Sequence, residues 1–387
     1  MARVSEQVRK VASALTDNSS IADVFEKALQ GERLTLSDGT LLMKSEEDAD
    51  IHAIGAVADT VRRKNSGDTV TFAASYNLSY SNICVAKCPI CAFYVPYRRG
   101  GTKDPRAYTL TVDQALDQLK EAIHLGATEI HTVGGLNPDL SLEYYESLIS
   151  AIKKTSSSVT VKALTLAEIH FIAKITGNSV HEVLSRLKAA GLDATTGGGA
   201  EIFDEKVRAK ISSKPKCSSE DWLRVAEEAH KLGIPGNSTM LYGHVEQPEH
   251  RVDHILKLRD LQDRVPGFLS FIPLKYSPEK TALLNSGDVK GSTSPMDDLK
   301  VIAVSRLLLA SSINNISVYW VSLGKHVAQT ALMYGGNDLV GTAFSEKVFN
   351  ATGLDGATTG EELAKLITAI GRTPAERNTF YDIVRYL

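Results

Sequence analysis

From residue 69 onward a short apolar or β-branched run, a glycine-rich or polar turn and an amphipathic stretch recur down the chain, and this rhythm constrains the fold more than any other feature. The strand pattern falls at 70–76, 129–133, 159–164, 194–196, 238–242, 268–272, 317–321 and 339–343. Helical periodicity alternates with it at 112–125, 142–153, 167–190, 219–232, 248–264, 297–310, 325–333 and 360–370. An amphipathic helix buries its apolar stripe by lying back on the strands it connects, and strands joined by such crossovers run parallel. Eight pairs of this kind predict an α/β fold, a (β/α)8 TIM-type barrel, with an open doubly wound sheet as the second choice. Residues 1–66 read instead as helix, with apolar residues at three- and four-residue intervals in 21–29 and 51–61 and a connecting turn at 34–42. The expected division is therefore an N-terminal helical extension, 1–66, and a barrel with C-terminal helices, 67–387.

Local signals support this parsing. Ser219-Glu220-Asp221 and Gln247-Pro248-Glu249 place acids in the first turn of a helix, where the dipole favours them, whereas Thr111-Val112-Asp113-Gln114 reads as a poor capping box. With 43% apolar residues the chain can bury a large core, as one large domain or two ordinary ones. Its 43 basic residues stand against 46 acidic ones, a formal charge of −3, so nothing in the balance calls for nucleic acid or an anionic membrane as partner. No apolar run approaches the roughly 18 residues of a membrane span, and residues 1–10 lack the apolar centre of a secretory signal. A cytoplasmic protein is expected.

Three of the four cysteines, Cys84, Cys88 and Cys91, lie within eight residues, spaced C-x3-C-x2-C directly after the first strand pattern. Thiolates gathered this closely repel one another and lose hydration together, which a thiophilic cation offsets. Zinc would need a fourth ligand for a closed site, and no second C-x2-C exists. A 4Fe-4S cluster held by three cysteines leaves one iron open for a small molecule, and the ligand count favours it over zinc. Cys217, distant in sequence, reads as a solitary thiol.

In a parallel barrel the carboxyl ends of the strands converge on one face, where chemistry takes place. Those ends carry the cysteine loop, then Gly134-Gly135-Leu136-Asn137, Thr165 with Glu168 beyond it, Gly197-Gly198-Gly199-Ala200-Glu201, Tyr242-Gly243-His244-Val245-Glu246, Lys275-Tyr276 and Tyr319-Trp320. Paired and tripled glycines let a ligand approach the backbone closely, though Gly134-Gly135 is also an ordinary turn. Glu168 and Glu201 read either as site carboxylates or as helix-start acids, and Tyr242 and His244 either as catalytic groups or as satisfied rim residues. His131, inside a strand, reads as buried and hydrogen-bonded, and His250 and His254 as surface.

The cysteine spacing after the first strand, Gly134-Gly135 after the second and Gly243 with Glu246 after the fifth, in that order, resemble the radical S-adenosylmethionine (SAM) superfamily. The resemblance implies that Cys84, Cys88 and Cys91 hold a 4Fe-4S cluster whose open iron is chelated by the amino and carboxylate groups of SAM. Gly134 and Gly135 would contact that amino group, the backbone at Ile90 and the Gly243–Glu246 motif would lie by the adenine, and Glu168 and Glu201 are grouped with them. A reduced cluster, fed by a low-potential donor such as flavodoxin or ferredoxin, would cleave SAM to methionine and a 5′-deoxyadenosyl radical.

The longer runs around Gly134-Gly135, Lys162, Gly197-Gly198-Gly199, Asn237 and Tyr319-Trp320 are similar to aminofutalosine synthases of the futalosine route to menaquinone. That likeness implies addition of the adenosyl radical to 3-[(1-carboxyvinyl)oxy]benzoate, with rearrangement and loss of carbon dioxide, so that SAM is consumed as a substrate. Glu168, Tyr242 and His244 are then the catalytic candidates, and Asn137, Lys275 and Tyr276 the substrate-binding ones. Two departures stand out. Ile90 occupies a position that is usually aromatic, and Asn137 replaces an expected histidine while keeping the capacity to donate and accept. The competing readings are a dehypoxanthine futalosine cyclase or a deazaflavin-chromophore synthase within the superfamily, and outside it a zinc-stabilised binding module.

Overall fold

In chain order the strands are β1 (Thr69–Ala73), β2 (Ser75–Ser79), β3 (Ile83–Cys84), β4 (Val95–Pro96), β5 (Glu129–Val133), β6 (Thr160–Ala163), β7 (Gly236–Tyr242), β8 (Phe268–Lys275), β9 (Asp338–Gly341), β10 (Thr373–Arg377) and β11 (Ile383–Tyr386). They come from a computed structural model that describes residues 19–387 except 125, 157, 158, 290 and 355, together with Glu6 and Lys10. Most of the expected helix before residue 19 therefore lies outside the described residues.

The parallel pairings run in a ring. β2 pairs with β5 and β5 with β6, Lys162 bridges Ala194, and Thr195 bridges Gly236. β7 pairs with β8, Phe271 bridges Ile316, Ser317 bridges Asp338, and β9 returns to β1. This is the closed eight-staved barrel that the alternation predicts, with β1 and β2 as the two halves of the first stave. Staves four and seven are reduced to bridges, and the strand expected over 317–321 turns into the helical turn Trp320–Leu323. Fully buried staves such as β7, every residue of which is buried, explain why the strand pattern is continuous rather than alternating.

The helices depart from expectation in three places. The single helix read over 167–190 is two, Leu166–Thr176 and Val180–Ala190, because Gly177 ends the first in a left-handed conformation (φ +72°) and Ser179 caps the second. The turn read over 34–42 contains the helix Leu36–Met43, opened by a reciprocal capping box between Thr35 and Asp38. Thr111 and Gln114 also form a full box, each accepting the other's backbone N–H. The N-terminal helices share the barrel's apolar core: Gly39 fits so closely that a Cβ there would lie 2.8 Å from Val252, and Ile54, Val57 and Ala58 are fully buried. Among the described residues no helix is long and apolar enough to cross a membrane.

The end of the chain holds elements the sequence pattern does not announce. β10 lies parallel to β1, Thr69 opposite Thr373 through Ala73 opposite Arg377, on the edge that β5 takes over beside β2. β11 pairs antiparallel with β10. The segment after β10 closes the amino end of the barrel: Thr379 donates to Glu129, Tyr381 meets Ser317, and Arg377 forms a two-point ion pair with Asp338 while stacking on Tyr381.

Candidate active site

The cysteine loop hangs between two clamps. β3 and β4 pair at its ends, Ile83 with Val95 and Cys84 with Pro96, and Val85 N–H donates to Leu136 O at 2.9 Å, docking the loop on the turn after β5. That turn must be glycine. A Cβ on Gly135 would sit 2.3 Å from Ile83 O, and one on Gly134 2.5 Å from the Tyr80 ring. The reward of the close approach is that Leu136 N–H donates to Cys84 Sγ at 3.2 Å. Cys84, Cys88 and Cys91 are all uncrosslinked and all line one cavity of about 270 Å³ at the carboxyl ends of the staves.

The fit of this wall to an iron-sulfur cluster rests on its donor chemistry. Burial pushes the Cys84 thiol up to about 11 and raises Cys91 as well, so a compensating positive charge beside these two would favour their thiolates. Their surroundings, Ala86, Leu136 and Phe171, are apolar. Cys217 is not on this wall; it is buried beside Arg208, so the wall offers three thiols. Among the described residues no three or more His, Cys, Asp or Glu side chains, the three cysteines included, are arranged as ligands of a single metal ion.

Two carboxylates complete this cavity. Glu168 is buried and braces three staves: Oε1 accepts from Tyr80 Oη at 2.6 Å and Gly134 N at 3.0 Å, and Oε2 from Thr165 N at 2.7 Å. Burial raises its pKa despite those donors. Glu201, with a left-handed backbone (φ +49°), pairs with Lys216; burial works to raise the carboxyl and Lys216 more than offsets it. Ile90, Lys275 and Tyr276 also face this cavity. Lys275, however, donates to Asp298 at 2.8 Å and Thr293 O, and the Tyr276 hydroxyl meets Thr281, so neither brings a fully free group. Lys216 and the segment Val348–Thr352 were not foreseen; nothing local marks a lysine in a Pro-Lys-Cys loop as a site residue.

The remaining candidates stand off the cavity. Tyr242 is buried in β7 with its hydroxyl on Asp298, so the expected catalytic role has no geometric basis. His244 Nε2 donates to Leu241 O and Nδ1 accepts from Val245 N, which fills both ring nitrogens and argues equally against catalysis. Glu246 accepts from Gly243 N, His244 N and Arg251 Nε; it latches the turn at Gly243 (φ +88°), and neither residue lines the cavity. Asn137 caps its own turn, accepting from Asp139 N and donating to Thr109, rather than facing a ligand. His254, read as surface, is buried, stacked on Phe203 at 3.9 Å, with Nε2 on Thr239 O.

A second cavity of about 280 Å³ lies inside the barrel and shares Cys91, Phe93, Gly134, Thr165, Leu274 and Phe349 with the first. Its wall includes Glu129 and Lys162, which meet at 2.6 Å, and Glu346, which accepts from Asn77, from Tyr319 at 3.1 Å and from the amides of Val348 and Phe349. His131 lines it too and is half-buried with no hydrogen-bond partner, contrary to the sequence reading.

Comparison with known proteins places this geometry. Residues 78–258 match the radical SAM superfamily, and residues 265–386 match the CofH/MqnC C-terminal region. The chain is 41% identical over 364 residues to an aminodeoxyfutalosine synthase of Thermus thermophilus, covering 94% of this chain and 95% of that one, and 39% identical to one of Streptomyces coelicolor, covering 94% of each. It is 37% identical to a 5-amino-6-(D-ribitylamino)uracil–L-tyrosine 4-hydroxyphenyl transferase of Methanosarcina barkeri, again over 94% of each chain. In fold it is similar to the FeFe-hydrogenase maturase HydG of Carboxydothermus hydrogenoformans (TM-score 0.71, 20% identity, 98% of this chain and 84% of that one). Methylornithine synthase has the same fold (TM-score 0.68, 17% identity, 91% of this chain and 97% of that one).

Proposed function

The chain belongs to the radical SAM superfamily, enzymes that transfer or rearrange groups by radical chemistry, and from that premise we propose that it is an aminofutalosine synthase. It joins the 5′-deoxyadenosyl group of SAM to 3-[(1-carboxyvinyl)oxy]benzoate and yields 6-amino-6-deoxyfutalosine, with methionine and bicarbonate as the other products, in menaquinone biosynthesis. The single observation that carries the reading is the wall of three uncrosslinked thiols packed beside a glycine turn and lining one cavity, in a chain this similar to two aminodeoxyfutalosine synthases.

When bound, a reduced 4Fe-4S cluster with SAM supplies the 5′-deoxyadenosyl radical. Cys84, Cys88 and Cys91 would hold three of its irons, and the Gly134–Gly135 turn, packed directly against Tyr80 and the cysteine strand, would set the backbone beside SAM at the fourth. Glu168 acts by holding the Gly134 amide and the start of the next helix in place, a positioning role rather than a proton transfer. Lys216 and Glu201 present a fixed charge pair at the same cavity. The apolar walls formed by Leu274, Phe93 and Phe349 between the two cavities exclude water from the space the radical must cross.

The test is product mass. Anaerobically reconstituted protein with SAM and a reductant is incubated separately with 3-[(1-carboxyvinyl)oxy]benzoate, dehypoxanthine futalosine, and L-tyrosine with the ribityl-uracil. The reading requires an adenosine-containing adduct from the first alone. Release of free 5′-deoxyadenosine with product formed from either of the others sinks it.

A further inference from the structure

The inner cavity carries a set of donors that the protein itself does not use. Lys162 is 2% exposed, and its only partner among the described residues is Glu129, leaving the other ammonium hydrogens unspent. Thr196 Oγ1 is buried with no hydrogen-bond partner among the described residues. The Asn237 side-chain oxygen accepts from Ser270, while its amide nitrogen has no acceptor among the described residues. Among the described residues His131 has no hydrogen bond, and burial, reinforced by Lys162, lowers its pKa from 6.5 to about 3, so it is a neutral ring.

The barrel register explains why these four come together. His131 is opposite Lys162 across the β5–β6 pairing, Lys162 bridges Ala194 two residues before Thr196, and Asn237 N–H donates to Thr195 O. One inward position on each of four consecutive staves thus forms a single polar wall. An unsatisfied buried hydroxyl such as Thr196 Oγ1 is rare in folded proteins, and beside three more groups with spare hydrogen-bonding capacity on one cavity wall it marks a polar ligand that accepts.

That ligand is an anion with more than one acceptor atom. The carboxylates near the wall are already taken: Glu129 by Lys162 and Thr379, and Glu346 by four donors. An ammonium group would find no free carboxylate here. Across the cavity Phe93, Phe349 and Leu274 offer apolar surface to a ring. We propose that Lys162, Thr196, Asn237 and His131 seat the ring carboxylate of an arene substrate deep in the barrel. This orients the enolpyruvyl end toward the cavity of the three cysteines; the inference deepens the functional reading above and rests on it.

The experiment measures dissociation constants by calorimetry on the anaerobically reconstituted full chain. The probes are 3-[(1-carboxyvinyl)oxy]benzoate, 2-phenoxyprop-2-enoate, which lacks the ring carboxylate, and L-tyrosine. The wild-type protein should bind the first at least about tenfold tighter than the second, because charge-assisted hydrogen bonds are at stake. Thr196→Val, close to isosteric, should narrow that ratio about fivefold by removing one donor, and the paired change Glu129→Gln with Lys162→Met should abolish it without leaving a buried charge unpaired. An unchanged ratio in both variants, with the adenosine adduct still formed, overturns the seat and leaves the functional reading intact. A wild-type protein indifferent to the ring carboxylate that also forms no adduct overturns both. Affinity for L-tyrosine that depends on Thr196 and Lys162 overturns the assignment of the wall to the ring carboxylate of the arene.

Discussion

Gly135 shows how a single missing side chain sets the position of the cysteine loop. Its N–H donates to Ser81 O at 2.8 Å, and its Cα lies so close to the cysteine strand that a Cβ would meet Ile83 O at 2.3 Å and Cys84 Cβ at 3.1 Å. The obstacle is backbone, which cannot swing aside as a side-chain tip does. Gly135→Ala must therefore push the β5 turn away from β3, and with it the Leu136 N–H from Cys84 Sγ. The expected outcome is a loss of about 1–3 kcal/mol by denaturant titration, the usual cost of overpacking. It should be accompanied by a marked fall in iron and sulfide retained after reconstitution. Iron content equal to wild type would mean that the turn and the cysteine loop are not coupled.

At the scale of elements, Glu168 does work that its place in the sequence only half discloses. Its position three residues after Thr165 marks a helix start, and the structure confirms a reciprocal capping box. The contacts with Tyr80 and Gly134, which tie that helix to two other staves, depend on long-range register. Glu168→Gln keeps the size but turns one acceptor into a donor, leaving one of Tyr80 Oη, Gly134 N and Thr165 N unmatched. A destabilisation of about 1–3 kcal/mol is expected in chemical denaturation. The same division between local and long-range information explains what was legible beforehand. The staves, the cysteine spacing and the glycine turns carry short-range signals and fall where the sequence puts them, except that staves four and seven shrink to bridges and 320–323 turns helical. The split at Gly177 was readable but overridden by the continuous apolar pattern of 167–190, and β10, with Pro374 and two charged residues, has no strand pattern of its own. Tyr242 and His244 are at the right end of the right stave, yet their polar atoms are spent on Asp298 and on backbone, which only the packed neighbours decide. Lys162 was quoted as part of a run, but its exposure to the inner cavity follows from barrel closure alone.

For the whole molecule, the two ends of the chain's barrel meet in one charge network at its floor. Arg377 of the last parallel strand holds Asp338 of β9 at 2.6 Å and lies 3.9 Å from Glu129 of β5, which in turn holds Lys162 of β6. Burial by itself would raise the Glu129 carboxyl; Lys162 and Arg377 outweigh it and bring the pKa down from 4.5 to about 2. A carboxyl depressed on folding contributes stability that is complete above its ordinary value and is lost as pH falls toward the folded one. For Glu129 that window runs from 4.5 down to about 2, and the interval corresponds to about 3 kcal/mol. Replacing the pair together, Glu129→Gln with Lys162→Met, removes the linkage while sparing the fold from a lone buried charge. Urea titrations at a series of pH values should then show the variant near wild-type stability at pH 7. Below 4.5 its stability should fall more slowly, so that the curves differ by up to about 3 kcal/mol near pH 2. Parallel curves through that window would show that Glu129 is not held ionised by the floor, and that its pair with Lys162 carries none of the pH dependence of the fold.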